Sequence, residues 1–407
     1  MKISLIQPGR NNLKYLKWSY DSIRKNQGNH TVEICVADDF SNDGTWDWCQ
    51  EMMQTDSNFK AIRNEGPTRL GHTILYDRLV NEVASHDICM IYHADMYLCP
   101  GAIDSIEWHL KENIIVSLTR IEPPLHPDGP EKILVDFGIE PEEFDEDKLL
   151  RYMRDTKADR VNKTTEGIFA PWAFWKKDFQ KIGGHDPIFA PQSKEDTDIF
   201  NRFQLNGIKF IQTWEGCVYH MTCRGSRFAD GAKRNPDGEV FMKNRETDEW
   251  LKQNQKSTRE FIRKWGHFCK HDALMKPIVP PKYDIGFIIK NCNDQLLETL
   301  EPWCSTIYVD CDYNSYIKRE QINTHYDLLD KIKPFDNEKQ NDILVEIDGN
   351  RFSNNDFRII QTLSEILAND EQLWEAILIE PTHFEIENLQ VTIHSLETYE
   401  NNLIHNN

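Results

Sequence analysis

Short apolar runs rich in isoleucine and valine alternate with longer amphipathic stretches from residue 2 to about residue 120. Apolar runs of this kind form buried strands, and the amphipathic stretches form helices that cover the sheet. The alternation is typical of βα units and of a largely parallel sheet. The fold class predicted for this part of the chain is therefore α/β.

The pattern breaks between Glu122 and Glu166, where the proline-rich segment PPLHPDGP is followed by the acidic run PEEFDEDKLL. Neither segment has a strand period, so residues 122–166 are interpreted as an insertion. Regular structure resumes at Gly167, and a helix from Glu246 to Trp265 is expected to close the domain.

The segment MKPIVPP, Met275–Pro281, has three prolines in seven residues, and proline resists both helix and sheet. We predict a first domain at 1–276, a linker at 277–281 and a smaller domain at 282–407. A second α/β pattern supports this division, with the runs YDIGFIIK, STIYVD, DILVEIDG and AILIEP and a helix from Asn355 to Ala368. The later domain is either a degenerate repeat of the first or an ordinary α/β domain.

The chain has 67 acidic and 47 basic residues, a formal net charge of -20. Such a charge repels a phosphate backbone, which excludes nucleic acid as a partner. No apolar run approaches the roughly 20 residues of a transmembrane helix, so we expect a cytoplasmic protein, either free or peripheral to a membrane. The ten cysteines are scattered and are interpreted as reduced, buried thiols rather than as a zinc site.

Four segments follow one another along the chain: ISLIQPGRNN, VEICVADDFSNDGT, ICMIYHADMYLCP, and GGHDPIF with EDTDIFNRFQLNG. Together they resemble family-two glycosyltransferases over about residues 2–266. The resemblance implies a GT-A fold with a Rossmann-like, mostly parallel sheet. It also implies a hexosyltransferase that takes a nucleoside diphosphate sugar, UDP-linked by expectation, and a glycan, lipid-linked or protein acceptor. The insertion would border the acceptor.

Ligands of a parallel α/β sheet bind at the carboxyl ends of its strands. The residues that the resemblance assigns to the nucleotide are Pro8, Gly9, Arg10, Asp39 and Arg69. The carboxylate of Asp39 would accept the imide N–H of uracil.

The metal site is expected at HADMY, because a strand period of two puts His93 and Asp95 on one face. The family usually has Asp-x-Asp here, where an acid holds a divalent ion against the diphosphate. Histidine in the first position favours Mn²⁺ over Mg²⁺ as the cofactor. His220 matches a late ligand of related enzymes, and Arg224 and Arg227 would close over the diphosphate as a lid.

In EDTDIFNRF, the resemblance assigns the catalytic base to Asp196 and acceptor orientation to Glu195. Asp198 and Arg202 stand four apart on a helix and are expected to pair. Trp172 is a candidate for stacking on an acceptor sugar, although such residues more often fill a core.

The function predicted is an inverting transfer of sugar to an acceptor hydroxyl. Three alternatives stay open: a retaining GT-A transferase, a sugar nucleotidyltransferase suggested by GPTRL at residues 66–70, and a non-catalytic binding or scaffold protein. The anomeric configuration of the product would distinguish a retaining from an inverting transferase. Intact Asp95 and Asp196 argue against a non-catalytic protein.

Overall fold

The strands at the centre of the first sheet are apolar on both faces. In strand β1 (Lys2–Gly9), residues 3–8 are all buried, and strand β2 (Thr31–Asp39) is buried from its second residue to its last. A strand covered on both sides by helices needs apolar side chains in both directions, which explains why these runs do not alternate. The computed structural model describes residues 1–222, 231–242, 246–377 and 379–405.

The chain folds into two units. The first comprises Met1–Gln253 and His271–Pro277 together with His405, and the second comprises Asn254–Lys270 and Ile278–Ile404.

The described part of the first unit contains these strands and helices: β1, α1 (Leu13–Asn26), β2, α2 (Thr45–Thr55), β3 (Phe59–Asn64), α3 (Gly71–Arg78), β4 (Ile88–Ile91), β5 (Met96–Leu98), α4 (Ala102–His109), β6 (Ile114–Glu122), β7 (Lys132–Leu134), α5 (Glu146–Asp155), α6 (Lys157–Arg160), β8 (Thr164–Thr165), β9 (Trp172–Trp175), α7 (Lys176–Lys181), α8 (Glu195–Leu205), β10 (Lys209–His220), β11 (Lys233–Arg234) and β12 (Val240–Phe241). A π-helical turn, Leu79–Val83, continues α3. Helix α9 (Asp248–Trp265) is divided between the units after Gln253.

The main sheet of the first unit has the strand order β3-β2-β1-β4-β9-β6-β10-β5, with β7 beside β6 and β8 beside β10. Strands β1 to β4 are mutually parallel, and β6 and β10 are parallel to each other. Strand β9 is antiparallel to both β4 and β6, so β4 and β6 point the same way. The carboxyl ends of β1, β2, β4, β6 and β10 therefore meet at one edge. This is the mixed, mostly parallel α/β sheet that the sequence predicts.

The described part of the second unit contains β13 (Ile285–Lys290), α10 (Asp294–Leu300), β14 (Thr306–Val309), α11 (Asn314–Glu320), α12 (Leu328–Lys331), β15 (Ile332–Pro334), β16 (Ile343–Asp348), α13 (Asn354–Ala368), α14 (Glu371–Ile377), β17 (Thr382–Ile386) and β18 (Leu389–Ile393). Its sheet has the order β15-β14-β13-β16-β18-β17. The first four strands are mutually parallel, β18 is antiparallel to β16, and β17 is antiparallel to β18. The main sheet of the first unit has the same arrangement over its first five strands, where β3, β2, β1 and β4 are parallel and β9 is antiparallel.

The predicted boundary near residue 277 assigns all of α9 to the first domain, whereas the structure assigns Asn254–Lys270 to the second unit. The reason is the polarity of that segment. Arg263 is fully buried and its guanidinium bonds to Glu301, at 2.6 Å from Oε2, and to Glu260 on its own helix. Buried charges need partners, and within this unit they have them.

Two other sequence predictions are corrected. AILIEP was expected to be a strand, but α14 extends through Ile377, so Ala376 and Ile377 are helical. Trp172 was a candidate for sugar stacking, but it is fully buried and packs on Phe174 at a ring-centroid distance of 4.6 Å. Among the described residues, no helix is both long enough and apolar enough to cross a bilayer.

Candidate active site

A cleft of about 810 Å³ opens at the edge where the parallel strands of the first unit end. The strand ends and the loops after them supply its walls, as expected for a parallel sheet. The residues that line the cleft and are discussed below are Pro8, Gly9, Arg10, Asp39, Arg69, Tyr76, His93, Asp95, Arg120, Glu122, His126, Lys132, Glu195, Asp196, His220 and Trp250.

Asp39, the last residue of β2, holds the loop that leads into α3. Its Oδ1 accepts bonds from Asn64 Nδ2 at 2.8 Å and from the Leu70 amide at 3.0 Å, and its Oδ2 accepts the Gly71 amide at 2.9 Å. Burial opposes ionisation of Asp39, but these hydrogen bonds outweigh it and lower the pKa. A carboxylate has about four acceptor positions, and three of those on Asp39 are used by these bonds. The guanidinium of Arg69 also faces this carboxylate, with Nε 3.8 Å from Oδ2.

Gly71 lets α3 approach the loop before α8. Its φ is +76°, and a Cβ at this position would lie 2.1 Å from the carbonyl oxygen of Pro191. Any side chain would therefore separate the two walls of the cleft.

His93, Asp95 and His220 form a compact group of potential metal ligands, whose ligand atoms all lie within 4.8 Å of one another. His93 and Asp95 follow β4, whereas His220 ends β10. Burial lowers the pKa of His93 to about 3, against the opposing charge of Asp95. The His93 imidazole is therefore neutral and has a lone pair to donate.

His220 lies between two carboxylates. Its Nε2 is 3.3 Å from Oδ1 of Asp95, and its Nδ1 is 2.7 Å from Oε1 of Glu122. Burial by itself would lower the pKa of His220, but Asp95 and then Glu122 overcome it and raise the pKa to about 9. The imidazole is thus fixed at both nitrogens.

Glu122, which is 2% exposed, also faces two cations. Its carboxylate is 3.1 Å from Arg120 Nε and 3.8 Å from Lys132 Nζ. Burial would raise the pKa of Glu122, but Arg120, His220 and Lys132 lower it to about 2. Glu122 is therefore ionised throughout the physiological range.

Glu195 and Asp196, in the first turn of α8, also line the cleft. Burial and the neighbouring charge of Asp196 raise the pKa of Glu195 to about 8, and its Oε2 is buried without a hydrogen bond among the described residues. Burial also raises the pKa of Asp196, with His185 and Arg120 acting in the opposite direction. Two adjacent carboxyls in this setting do not both ionise readily.

A buried ion pair secures that helix. Asp198 and Arg202 have fully buried side chains and are 2.8 Å apart, which confirms the predicted i,i+4 pairing. Arg202 Nη1 also donates to the carbonyl of Ile182 at 2.9 Å. The turn that carries Asp196 is therefore attached to the segment before it.

The family model described as glycosyl transferase family 2 matches residues 4–183. Residues 4–183 are thus similar to that family. The matched segment is just under half of the chain and runs from β1 to just beyond α7. No curated protein sequence matches the chain.

Two solved structures align with parts of this chain. One is described as the crystal structure of GalNAc-T7 with UDP, GalNAc and Mn²⁺, at 14% identity and a TM-score of 0.40 over 54% of this chain and 43% of that chain. The other is the mannosyltransferase PcManGT from Pyrobaculum calidifontis in complex with GDP-Man and Mn²⁺, at 16% identity and a TM-score of 0.39 over 55% and 57%. The chain thus spans about half the length of each.

The structure brings most of the predicted site residues to one cleft: Pro8, Gly9, Arg10, Asp39, Arg69, His93, Asp95, Glu195, Asp196 and His220. Arg224 and Arg227, the predicted lid, lie outside the described residues. Sequence reasoning missed Tyr76, Arg120, Glu122, Lys132 and Trp250. Glu122 offered a signal, an acid at the end of an apolar run, but it was assigned only to the start of an insertion.

Proposed function

We propose that this protein is a glycosyltransferase, which moves a hexose from a UDP-sugar to an acceptor hydroxyl with inversion at the anomeric carbon. The single observation that carries the proposal is the shared cleft. The ligand group of His93, Asp95 and His220 and the carboxyl pair of Glu195 and Asp196 line the same cavity of about 810 Å³. Donor activation and acceptor deprotonation would thus take place side by side.

The donor set fits a divalent transition ion. A carboxylate and two imidazoles within 4.8 Å of one another suit Mn²⁺ better than Mg²⁺, which prefers oxygen ligands alone. When bound, the ion would offset the negative charge of the diphosphate leaving group. His93, neutral at physiological pH, would be ready to coordinate it.

The two carboxyls of α8 take different roles because their environments differ. Glu195 retains its proton near neutral pH, since burial and the charge of Asp196 raise its pKa to about 8. Asp196 is then the ionised partner, and it removes the proton of the acceptor hydroxyl as that oxygen attacks. Protonated Glu195 donates a hydrogen bond that orients the acceptor.

The donor nucleotide would lie over the ends of β1 and β2. The acceptor position left on Asp39 suits the imide N–H of uracil, and Arg10 and Arg69 flank it with positive charge. The glycan, lipid-linked or protein acceptor would enter beside Asp196, past the segment after Glu122 that contributes His126 to the wall.

Asp196→Asn and Asp95→Ala test this assignment because each should impair a different step. The first should impair proton removal from the acceptor, and the second should impair Mn²⁺-dependent binding of UDP. Asp196→Asn keeps the shape of the side chain but cannot take a proton, so turnover should fall about 10²-fold or more while calorimetry shows unchanged affinity for UDP with Mn²⁺. Asp95→Ala should abolish the Mn²⁺-dependent part of UDP binding. Asp155→Asn, a surface aspartate 69% exposed and outside the cleft, is the matched control.

The assay is a panel of UDP-, GDP- and dTDP-sugars with and without Mn²⁺, followed by NMR of the product anomer. Near-normal transfer by Asp196→Asn, or a product that keeps the anomeric configuration of the donor, would show that the inverting mechanism is wrong. Equal UDP affinity in Asp95→Ala across a Mn²⁺ titration would remove the metal role from Asp95.

A further inference from the structure

Glu122 and His220 are neighbours across a parallel strand pair. The register of β10 on β6 places Val218 beside Arg120 and Tyr219 beside Ile121. The next position brings His220 beside Glu122 at the end of both strands, and their side chains meet with Oε1 2.7 Å from Nδ1. The contact is thus built into the sheet.

The two nitrogens of an imidazole point in different directions, so holding one fixes the direction of the other. Glu122 accepts the Nδ1–H of His220, so when a metal ion takes the place of the Nε2 proton that faces Asp95, Nε2 is the nitrogen that coordinates. Nε2 faces Asp95 at 3.3 Å, inside the ligand group. Without Glu122, the ring could rotate or present the other tautomer.

We propose that Glu122 is a positioning residue for the metal site, which aims Nε2 of His220 at the ion bound by Asp95 and His93. The inference rests on the metal site of the proposed function and adds to it a residue outside the ligand set. Carboxylates that orient ligating histidines in this way typically contribute 10- to 100-fold to metal affinity or activity.

A charge effect is the rival explanation, because Glu122 is also the partner of Arg120 and Lys132. Glu131 separates the two explanations. Its Oε1 is 3.2 Å from Arg120 Nη2 and 3.2 Å from Lys132 Nζ, yet it makes no contact with His220 among the described residues. Glu131→Gln therefore removes a charge from the same two cations and leaves the histidine untouched.

Two conservative variants of Glu122 separate the effect of its charge from the effect of its hydrogen bond to His220. Glu122→Asp keeps the charge for the cations but withdraws the carboxylate by about 1.5 Å, which lengthens a 2.7 Å bond beyond hydrogen-bond range. Glu122→Gln loses the charge but keeps an oxygen that can accept the Nδ1–H. Neither variant opens a large cavity, and in both Glu131 still pairs with Arg120 and Lys132, so both should fold.

The experiment titrates the full chain with Mn²⁺ alone, measuring affinity by calorimetry and imidazole coordination by the ¹⁴N modulation in pulsed EPR. We expect Glu122→Asp to bind Mn²⁺ at least about tenfold more weakly and to lose one imidazole signature, as His220→Ala does. Glu122→Gln and Glu131→Gln should stay within about threefold of the unmodified protein and retain both imidazole signatures.

The inference is overturned if Glu122→Asp binds Mn²⁺ normally with both imidazoles, and in that case the metal site itself stands. It is also overturned if both glutamine variants weaken binding as much as Glu122→Asp, since charge rather than orientation would then be responsible. If the unmodified protein binds no Mn²⁺, the metal part of the proposed function falls and the role of Glu122 falls with it.

Discussion

Removing the charge of Asp198 should destabilise the first unit strongly, although Asp198 does not line the cleft. Its side chain and that of Arg202 are fully buried and 2.8 Å apart. At an effective dielectric constant of about 20 their attraction is about 6 kcal/mol, much of it offset on folding by desolvation. Asp198→Asn leaves a buried guanidinium without its counter-charge, which costs about 3–5 kcal/mol. For a unit of this size we expect the melting temperature to fall by roughly 6–20 °C.

The measurement combines thermal melting with hydrogen exchange by mass spectrometry. Exchange should rise in peptides covering α8 and stay unchanged in β13 of the second unit, which serves as the internal reference. Glu82→Gln is the matched control. It removes the acid of another i,i+4 pair, Arg78–Glu82, whose side chains are 35% and 54% exposed, and such a pair contributes under about 1 kcal/mol.

The double variant Asp198→Asn with Arg202→Met removes both buried charges and should recover more than half of the lost stability. A fall of less than about 4 °C for Asp198→Asn, with unchanged exchange in α8, would refute the reasoning. It would mean that water or a neighbouring group compensates Arg202.

Two further predictions concern acid stability and chain division. Ser4, Ser85 and Lys60 bond to Glu33 and lower its pKa from 4.5 to about 2 against the cost of burial, so this group contributes stability above pH 4.5 that is lost as the pH falls toward 2, about 3 kcal/mol in all. The stability gap between the unmodified protein and Glu33→Gln in urea denaturation should therefore narrow by about 2 kcal/mol between pH 6 and pH 3 and close only toward pH 2. A constant gap would contradict the assignment. Truncation after Lys276 should give an insoluble or unstable fragment. It removes the core residues that cover Ile262, and it leaves the buried Arg263 without Glu301. A well-folded, active fragment would show that Asn254–Lys270 does not depend on the second unit.

The sequence predicted the parts of the site that depend on local pattern. The apolar runs of β1, β2 and β4 located the strand ends, and the rule that ligands bind at carboxyl ends brought Asp39, Asp95 and His220 into one hypothesis. The acids at the start of α8 were assigned by the family resemblance, and the structure places both in the first turn of that helix.

What the sequence could not give depends on pairing between distant segments. Glu122 contacts His220, 98 residues away in the chain, because β6 and β10 pair in parallel after a register shift between Thr213 and Cys217. The burial of Trp172 follows from the position of β9 inside the sheet, which its aromatic composition does not reveal. The division of α9 between the two units could not be predicted from the sequence either, because the apolar residues of a helix do not show which core will cover them.

The position of β9 in the sheet has a consequence for synthesis on the ribosome. β1 to β4 can pair as soon as they have been made, but the neighbour of β4 on its outer side is β9, which begins at Trp172. Until that segment emerges, the nascent chain exposes the unpaired edge of the apolar strand Ile88–Ile91. Exposed apolar edges attract other chains, so the interval between translation of residues 91 and 175 is when this protein is most prone to aggregate and most in need of chaperones.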